Sequence, residues 1–163
     1  MKVGVIADTH DNLPLIEEAV KIFNEKGVEL VLHAGDYVAP FVVKVFKKLR
    51  TKFVGVFGNN DGDKILLSKK FNEIGFKIFN SPYELTMKNK NILLMHEPNL
   101  LDSITRSNMY DVILYGHTHR VDLRRLNNMI IFNPGEASGW LYGKPTIGIV
   151  DLNSMNVELI KLK

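Results

Sequence analysis

Two apolar runs, Lys2–Ala7 and Glu29–Ala34, constrain the fold of this chain most tightly. Both are rich in Val, Ile and Leu and lack polar alternation, the pattern of strands covered on both faces. Between them Ile16, Ala19, Val20 and Phe23 recur at i, i+3, i+4 and i+7, one face of a helix. Asn12 is placed to cap that helix, Pro14 suits its first turn, Glu17 and Glu18 favour its N-terminal dipole, and Gly27 suits its end. A second helix is expected over Pro40–Leu49, burying Phe41, Val42, Val45, Phe46 and Leu49. A third strand follows over Thr51–Phe57, then a third helix over Asp63–Glu73 with Leu67, Phe71 and Ile74 inward.

The later part is richer in strands. Lys77–Phe79, Tyr83–Met87 and Asn91–His96 read as short strands, followed by a helix over Leu100–Ser107 and a strand over Asp111–Tyr115. Val121–Leu126, Met129–Phe132, Thr146–Asp151 and Val157–Lys161 read as a meander, turning at Asn127-Asn128 and Asn153-Ser154. A βαβαβ half followed by a more antiparallel half fits an α/β fold of two sheets packed face to face, with helices outside.

The chain's 163 residues suit one domain, expected to span 1–163. No apolar run reaches the roughly 20 residues of a membrane span. The N-terminus runs directly into a strand pattern without a cleavage site of the A-x-A type, so a cytoplasmic protein with no membrane partner is expected. Cysteine is absent, which excludes disulfides and thiolate–zinc sites. A net charge of +3 modestly favours anionic partners, but the lysines are scattered among acids, which disfavours a long nucleic acid.

Function is carried by an ordered series of polar blocks, each placed after a predicted strand. Asp8-Thr9-His10 is first, then Gly35-Asp36, Gly58-Asn59-Asn60-Asp61, His96, and Gly116-His117-Thr118-His119. In extended backbone, residues i and i+2 point the same way, so Asp8 pairs with His10 and His117 with His119. Ligands at the C-terminal ends of parallel strands converge at one sheet edge. Taken singly, each block also reads as a turn or a hydrogen-bonded histidine; the ordered set reads as a metal site. Oxygen and imidazole donors suit Mn, and also Ni, Fe, Co or Zn. Two divalent ions against Asp8 and Asp36 leave positive charge, which attracts phosphate.

The series is similar to that of the calcineurin-like metallophosphoesterases, whose pattern is D-x-H, G-D, G-N-H-D/E, H and G-H-x-H. It runs from Asp8 to His119, and Asn133-Pro134-Gly135 recurs in compact members. The resemblance implies a four-layer α/β/β/α sandwich with a dinuclear centre. By motif position, one ion falls to Asp8, His10, Asp36 and His119, and the other to Asp36, Asn59, His96 and His117, with Asp36 bridging. It implies a metal-dependent phosphodiesterase that hydrolyses small phosphodiesters with hydroxide held at the metal pair. His33 lies outside the pattern and is expected in the strand or core.

One position departs from the family. Asn60 stands where a histidine usually contacts phosphate or protonates the leaving group. An amide donates a hydrogen bond to a phosphoryl oxygen but cannot act as a general acid. Small single-domain phosphodiesterases of the family share this lack, which favours a small diester with a good leaving group. Asn60 is therefore the candidate catalytic and substrate-binding residue. Asp61 supports it by orienting Asn60 or nearby backbone, or simply closes the turn. Arg120 is a candidate phosphate contact, although the alternation of Arg120, Asp122 and Arg124 also suits a solvated strand face. Trp140, Leu141 and Tyr142, between Gly139 and Gly143, suit a pocket wall, a dimer contact or ordinary packing, and a homo-oligomer stays open. The alternatives are a phosphomonoesterase on the same site, or a scaffold like the small retromer subunit, whose metal site is degenerate. Here no expected ligand is missing.

Overall fold

A computed structural model describes residues 1–163. Strands β1 (Lys2–Ile6), β2 (Leu30–His33) and β3 (Lys52–Val56) run parallel, as their double-sided apolar pattern requires. They are joined by α1 (Leu13–Lys26) and by a 3-10 turn, Pro40–Val42, that leads into α2 (Val43–Phe46). Helix α3 (Lys64–Glu73) then leads to β4 (Lys77–Phe79), parallel to β3. The chain crosses to a second sheet with β5 (Tyr83–Met87) and β6 (Lys90–Leu94), passes through α4 (Leu101–Arg106) to β7 (Val112–Leu114), and adds the hairpin β8 (Val121–Leu126) and β9 (Met129–Pro134). It returns with β10 (Thr146–Asp151), antiparallel to β1, and β11 (Asn156–Lys161). The sheet orders are β11-β10-β1-β2-β3-β4 and β5-β6-β7-β9-β8.

Three apolar layers separate four layers of structure. Ile16, Phe23, Phe46 and Phe71 from the helices meet Ile6, Val31 and Phe53 of the first sheet. The opposite faces of the same strands, through Val5, Leu32 and Val56, pack on Leu94, Leu114 and Phe132 of the second sheet. Leu101 and Ile104 of α4 cover Leu93, Ile113 and Ile131 behind it. Each fully buried side chain of this size contributes about 1.5–3 kcal/mol. The result is the expected α/β/β/α sandwich. No helix is long and apolar enough to cross a membrane.

Four expectations are corrected. The last four strands are not a meander: β8–β9 belongs to one sheet and β10–β11 to the other. Strand periodicity identifies a hairpin but not the sheet that receives it. Pro40–Leu49 is not one helix, and Phe41 is 52% exposed, because the 3-10 turn rotates it away from the core. Asn12 does not cap α1 through its side chain; its Nδ2 donates to the Ser138 carbonyl, 2.8 Å away. Glu17 and Glu18 lie beyond the first turn of α1, where Glu17 pairs with Lys48 and Glu18 accepts the backbone N–H of Lys163.

Candidate metal centre

The parallel strands of both sheets end at one edge, and the polar blocks begin there. Asp8, Asp36 and Asn59 follow β1, β2 and β3, while His96 and His117 follow β6 and β7. Hydrogen bonds continue the ladders into the loops: Asp8 N–H donates to Gly35 O, His10 N–H to Asp36 O, and Gly116 N–H to His96 O, each at 3.1 Å. These loops approach closely enough that a Cβ on Gly58 would lie 2.1 Å from Asp36 Oδ1.

The expected alternation along extended backbone is absent. Asp8, His10, Asp36, His117 and His119 all adopt left-handed backbone, with φ of 52°, 37°, 63°, 67° and 59°. Such residues persist only where surrounding structure over-determines them, and they cluster at functional sites. His117 and His119 accordingly diverge. His119 Nε2 lies 3.3 Å from His10 Nε2, whereas His117 Nδ1 lies 2.9 Å from Asn59 Oδ1.

Two groups of donor atoms result. One atom each of Asp8, His10, Asp36 and His119 lie within 4.8 Å of one another. Beside them, Asn59 Oδ1 lies 2.8 Å from His96 Nε2 and 2.9 Å from His117 Nδ1. Asp36 Oδ2 belongs to both groups, 3.4 Å from His10 Nε2 and 3.4 Å from His96 Nε2.

The outer hydrogen bonds decide which ring nitrogens offer lone pairs. His96 Nδ1 is 2.7 Å from the Ala34 carbonyl, which only accepts, so this nitrogen carries a proton and Nε2 faces inward. His119 Nδ1 donates to Glu136 Oε2 at 2.8 Å, so its Nε2 also faces inward. Imidazole lone pairs, a carboxylate and an amide oxygen thus face one another without protein donors between most of them. A cation satisfies that arrangement, and an orienting carboxylate or carbonyl behind each histidine is the usual support for a metal ligand. The donor set therefore fits divalent ions.

The electrostatics agree. Burial pushes the Asp8 carboxyl up to about 7, against the lowering effect of His96 and His119. Burial also acts upward on Asp36, but hydrogen bonds from His96 and Asn60 outweigh it and hold the carboxyl well below the usual range. Burial pulls His96 down, but Asp36 reverses this and raises it. Without a cation, a proton on His96 takes the cation's place between the acceptors. Burial lowers His10 despite the opposing charge of Asp36.

The remaining predicted residues fall as follows. Asn60 donates to Asp36 through both its backbone N–H (2.9 Å) and its Nδ2 (2.7 Å). Asp61 orients backbone: Oδ1 accepts Tyr37 N–H and Val38 N–H at 2.7 and 2.8 Å, and Oδ2 accepts Gly58 N–H at 2.7 Å. Arg120 lies outside both donor groups, with Nε 3.1 Å from the Tyr142 hydroxyl and its guanidinium over that ring. His33 is buried, stacked on Tyr37; Nδ1 accepts Gly35 N–H, so Nε2 donates to the Thr9 hydroxyl, which in turn donates to the Asp36 carbonyl. Trp140 is 65% exposed, with its indole N–H on the His10 carbonyl at 3.1 Å.

Two functional residues escaped the sequence reading. Glu136 is fully buried and accepts His119 together with the Leu141 and Tyr142 backbone N–H groups. Asn133 donates to the Gly116 carbonyl and the Thr118 hydroxyl, which fixes the loop carrying His117 and His119. The signal was Asn133-Pro134-Gly135, a motif noticed without a role.

Residues 1–155 match the model of the calcineurin-like phosphoesterase superfamily domain, and the chain belongs to that family. A phosphodiesterase of Methanocaldococcus jannaschii is 36% identical over 166 residues, covering 100% of both chains. A probable metallophosphoesterase of Methanothermobacter thermautotrophicus is 30% identical over 169 residues, covering 99% of this chain and 92% of its own. Among solved structures, a novel archaeal phosphodiesterase superposes with a TM-score of 0.94 at 36% identity, covering 99% of this chain and 100% of that one. These relatives agree with the phosphoric diester hydrolase expected from the sequence.

Proposed function

We infer that this protein is a metal-dependent phosphodiesterase acting on small diesters at a dinuclear centre, and that residues 1–163 form one catalytic domain. One observation carries the reading: Asp36 Oδ2 lies 3.4 Å from the inward nitrogens of both His10 and His96. Asp8, His10, Asp36 and His119 would hold one ion, and Asp36, Asn59, His96 and His117 the other. Bound Mn²⁺, or Ni²⁺, Fe²⁺, Co²⁺ or Zn²⁺, would supply Lewis acidity and lower the pKa of an attacking water.

The chain's own residues set the rest. Glu136 and the Ala34 carbonyl hold His119 and His96 in the tautomers that point lone pairs inward. Asp61 ties the Gly58 loop to the Tyr37–Val38 backbone, so Asn59 and Asn60 keep their places beside Asp36. Asn60, whose Nδ2 spends one hydrogen on Asp36 Oδ2, would offer its second to a phosphoryl oxygen but has no transferable proton, which disfavours substrates with poor leaving groups and the phosphomonoesterase alternative. Arg120, beside His119, adds positive charge for the phosphate.

The test is turnover of bis(p-nitrophenyl) phosphate with Mn²⁺, Ni²⁺ and the other ions, comparing Asp36→Ala and His117→Ala. Metal-stimulated turnover that falls by at least about 10²-fold in both variants is expected. No stimulation by any ion, or turnover that survives both substitutions, would sink the reading.

A further inference from the structure

The candidate centre does not end at its donor atoms. A cavity of about 500 Å³ opens beside it, and Asn59 and His96 form part of the cavity wall. Pockets of this size accommodate a small organic group. Polar and apolar surface line the cavity about equally. Lys64 is the only cation in it and Glu97 the only carboxylate. Lys64 Nζ stands 5.6 Å over the ring of Phe57, which favours the ammonium at this wall. Asn99 Nδ2 donates to Glu97 Oε2 at 3.0 Å, leaving the Asn99 carbonyl and Glu97 Oε1 as free acceptors. Asn80, also in the wall, brings an amide that can both donate and accept. Phe57 and Pro82 supply flat apolar faces.

An acyl chain fits this wall poorly, because it would cover the two amides and the carboxylate without giving them partners. A flat, hydrogen-bonding heterocycle attached to a hydroxylated sugar matches both its apolar faces and its amide and carboxylate groups. Resting on the diesterase reading above, we propose that this cavity is the subsite for one ester arm of the substrate and that the arm is a nucleoside. The base lies against Phe57 and Pro82, and its edge is read by Asn80 and Asn99. A sugar hydroxyl donates to Glu97. Lys64 faces the phosphate end of the arm, where its charge offsets that of the phosphoryl oxygens.

The experiment compares thymidine 5′-(p-nitrophenyl phosphate) with methyl p-nitrophenyl phosphate on the Mn²⁺-loaded protein, alongside Lys64→Ala and Asn99→Ala. Both esters release the same nitrophenol, so the ratio of their kcat/KM values reads the arm alone. A ratio of about 10 or more in favour of the nucleoside is expected, falling about fivefold in each variant. A ratio near one, or one that neither substitution changes, overturns the subsite. Calorimetric binding of thymidine 5′-phosphate against methyl phosphate separates the two readings. If neither ester turns over but the nucleotide binds more tightly and each substitution weakens it, the diesterase reading fails and the subsite stands. If neither turnover nor binding preference is seen, both fall.

Discussion

Glu136 shows how one carboxylate outside the donor set governs it. Its Oε2 takes the His119 Nδ1 proton at 2.8 Å, while the carboxylate also accepts the Leu141 and Tyr142 N–H groups. Burial acts to raise it, but these donors outweigh burial and keep it below the usual glutamate range, so it stays ionised. Glu136→Gln keeps the shape but removes the charge that fixes the tautomer. A 10- to 100-fold loss of metal affinity is expected with the fold intact, read by chelator competition and circular dichroism. Unchanged affinity would show that something else orients His119. Asn60 offers the complementary change. Asn60→His restores a titratable donor where the family usually has one, and kcat/KM for diesters with alkyl leaving groups should rise on the order of 10². Nitrophenyl esters, which need no proton, should change little; equal gains on both would rule out proton donation.

At the scale of elements, Asp61 ties the loop after β3 to the backbone that follows β2. Asp61 is buried and satisfies three backbone N–H groups, on Tyr37, Val38 and Gly58. Asp61→Ala strands those donors, each at a cost of about 1–3 kcal/mol. Some relax or reach water, so a loss of about 3 kcal/mol in denaturant stability is expected, together with weaker metal binding through Asn59. A loss below about 1 kcal/mol would show that the loop stands without it. The sequence exposed this architecture unevenly. The double-sided apolar runs revealed β1 and β2, and the polar block after each strand pointed to the seven residues whose donor atoms the fold brings together. Local periodicity cannot carry the rest. The left-handed backbone at Asp8 is held by its N–H on the Gly35 carbonyl, and that at His117 by its N–H on the Asp8 carboxylate, both contacts to another loop. The Glu136–His119 bond spans 17 residues and crosses from one strand end to another. Placing β10 beside β1 depends on a pairing nearly the whole chain apart, which no window of residues contains.

The sandwich gathers its buried carboxyl groups and histidines (Asp8, His33, Asp36, Asp61, His96 and Glu136) at one sheet edge, and this couples metal binding there to pH. Burial between the layers holds a proton on Asp8 up to about pH 7, although its ordinary value is 3.8. His96, raised by Asp36 against the pull of burial, holds a second. Both protons must leave before the atoms can serve as ligands. Asp36 is already ionised and releases none. His10, lowered by burial, is neutral near pH 7 and releases none there. Apparent metal affinity should therefore climb steeply with pH, by up to about a hundredfold per unit while both protons are held, and less steeply once pH passes the Asp8 value of about 7. In the metal-free protein the unfolding linkage is mixed. The raised Asp8 and His96 make stability fall as pH rises through their folded values. The lowered His10 and His33 make it fall as pH drops below their ordinary 6.5. Binding is thus the cleaner readout. Calorimetric titration with Mn²⁺ at pH 6, in two buffers of different ionisation enthalpy, should detect between one and two protons released per centre filled, and fewer at pH 8.5, where Asp8 has already lost its own. Equal release at both pH values, or none at pH 6, would mean that Asp8 and His96 enter the site already free of those protons.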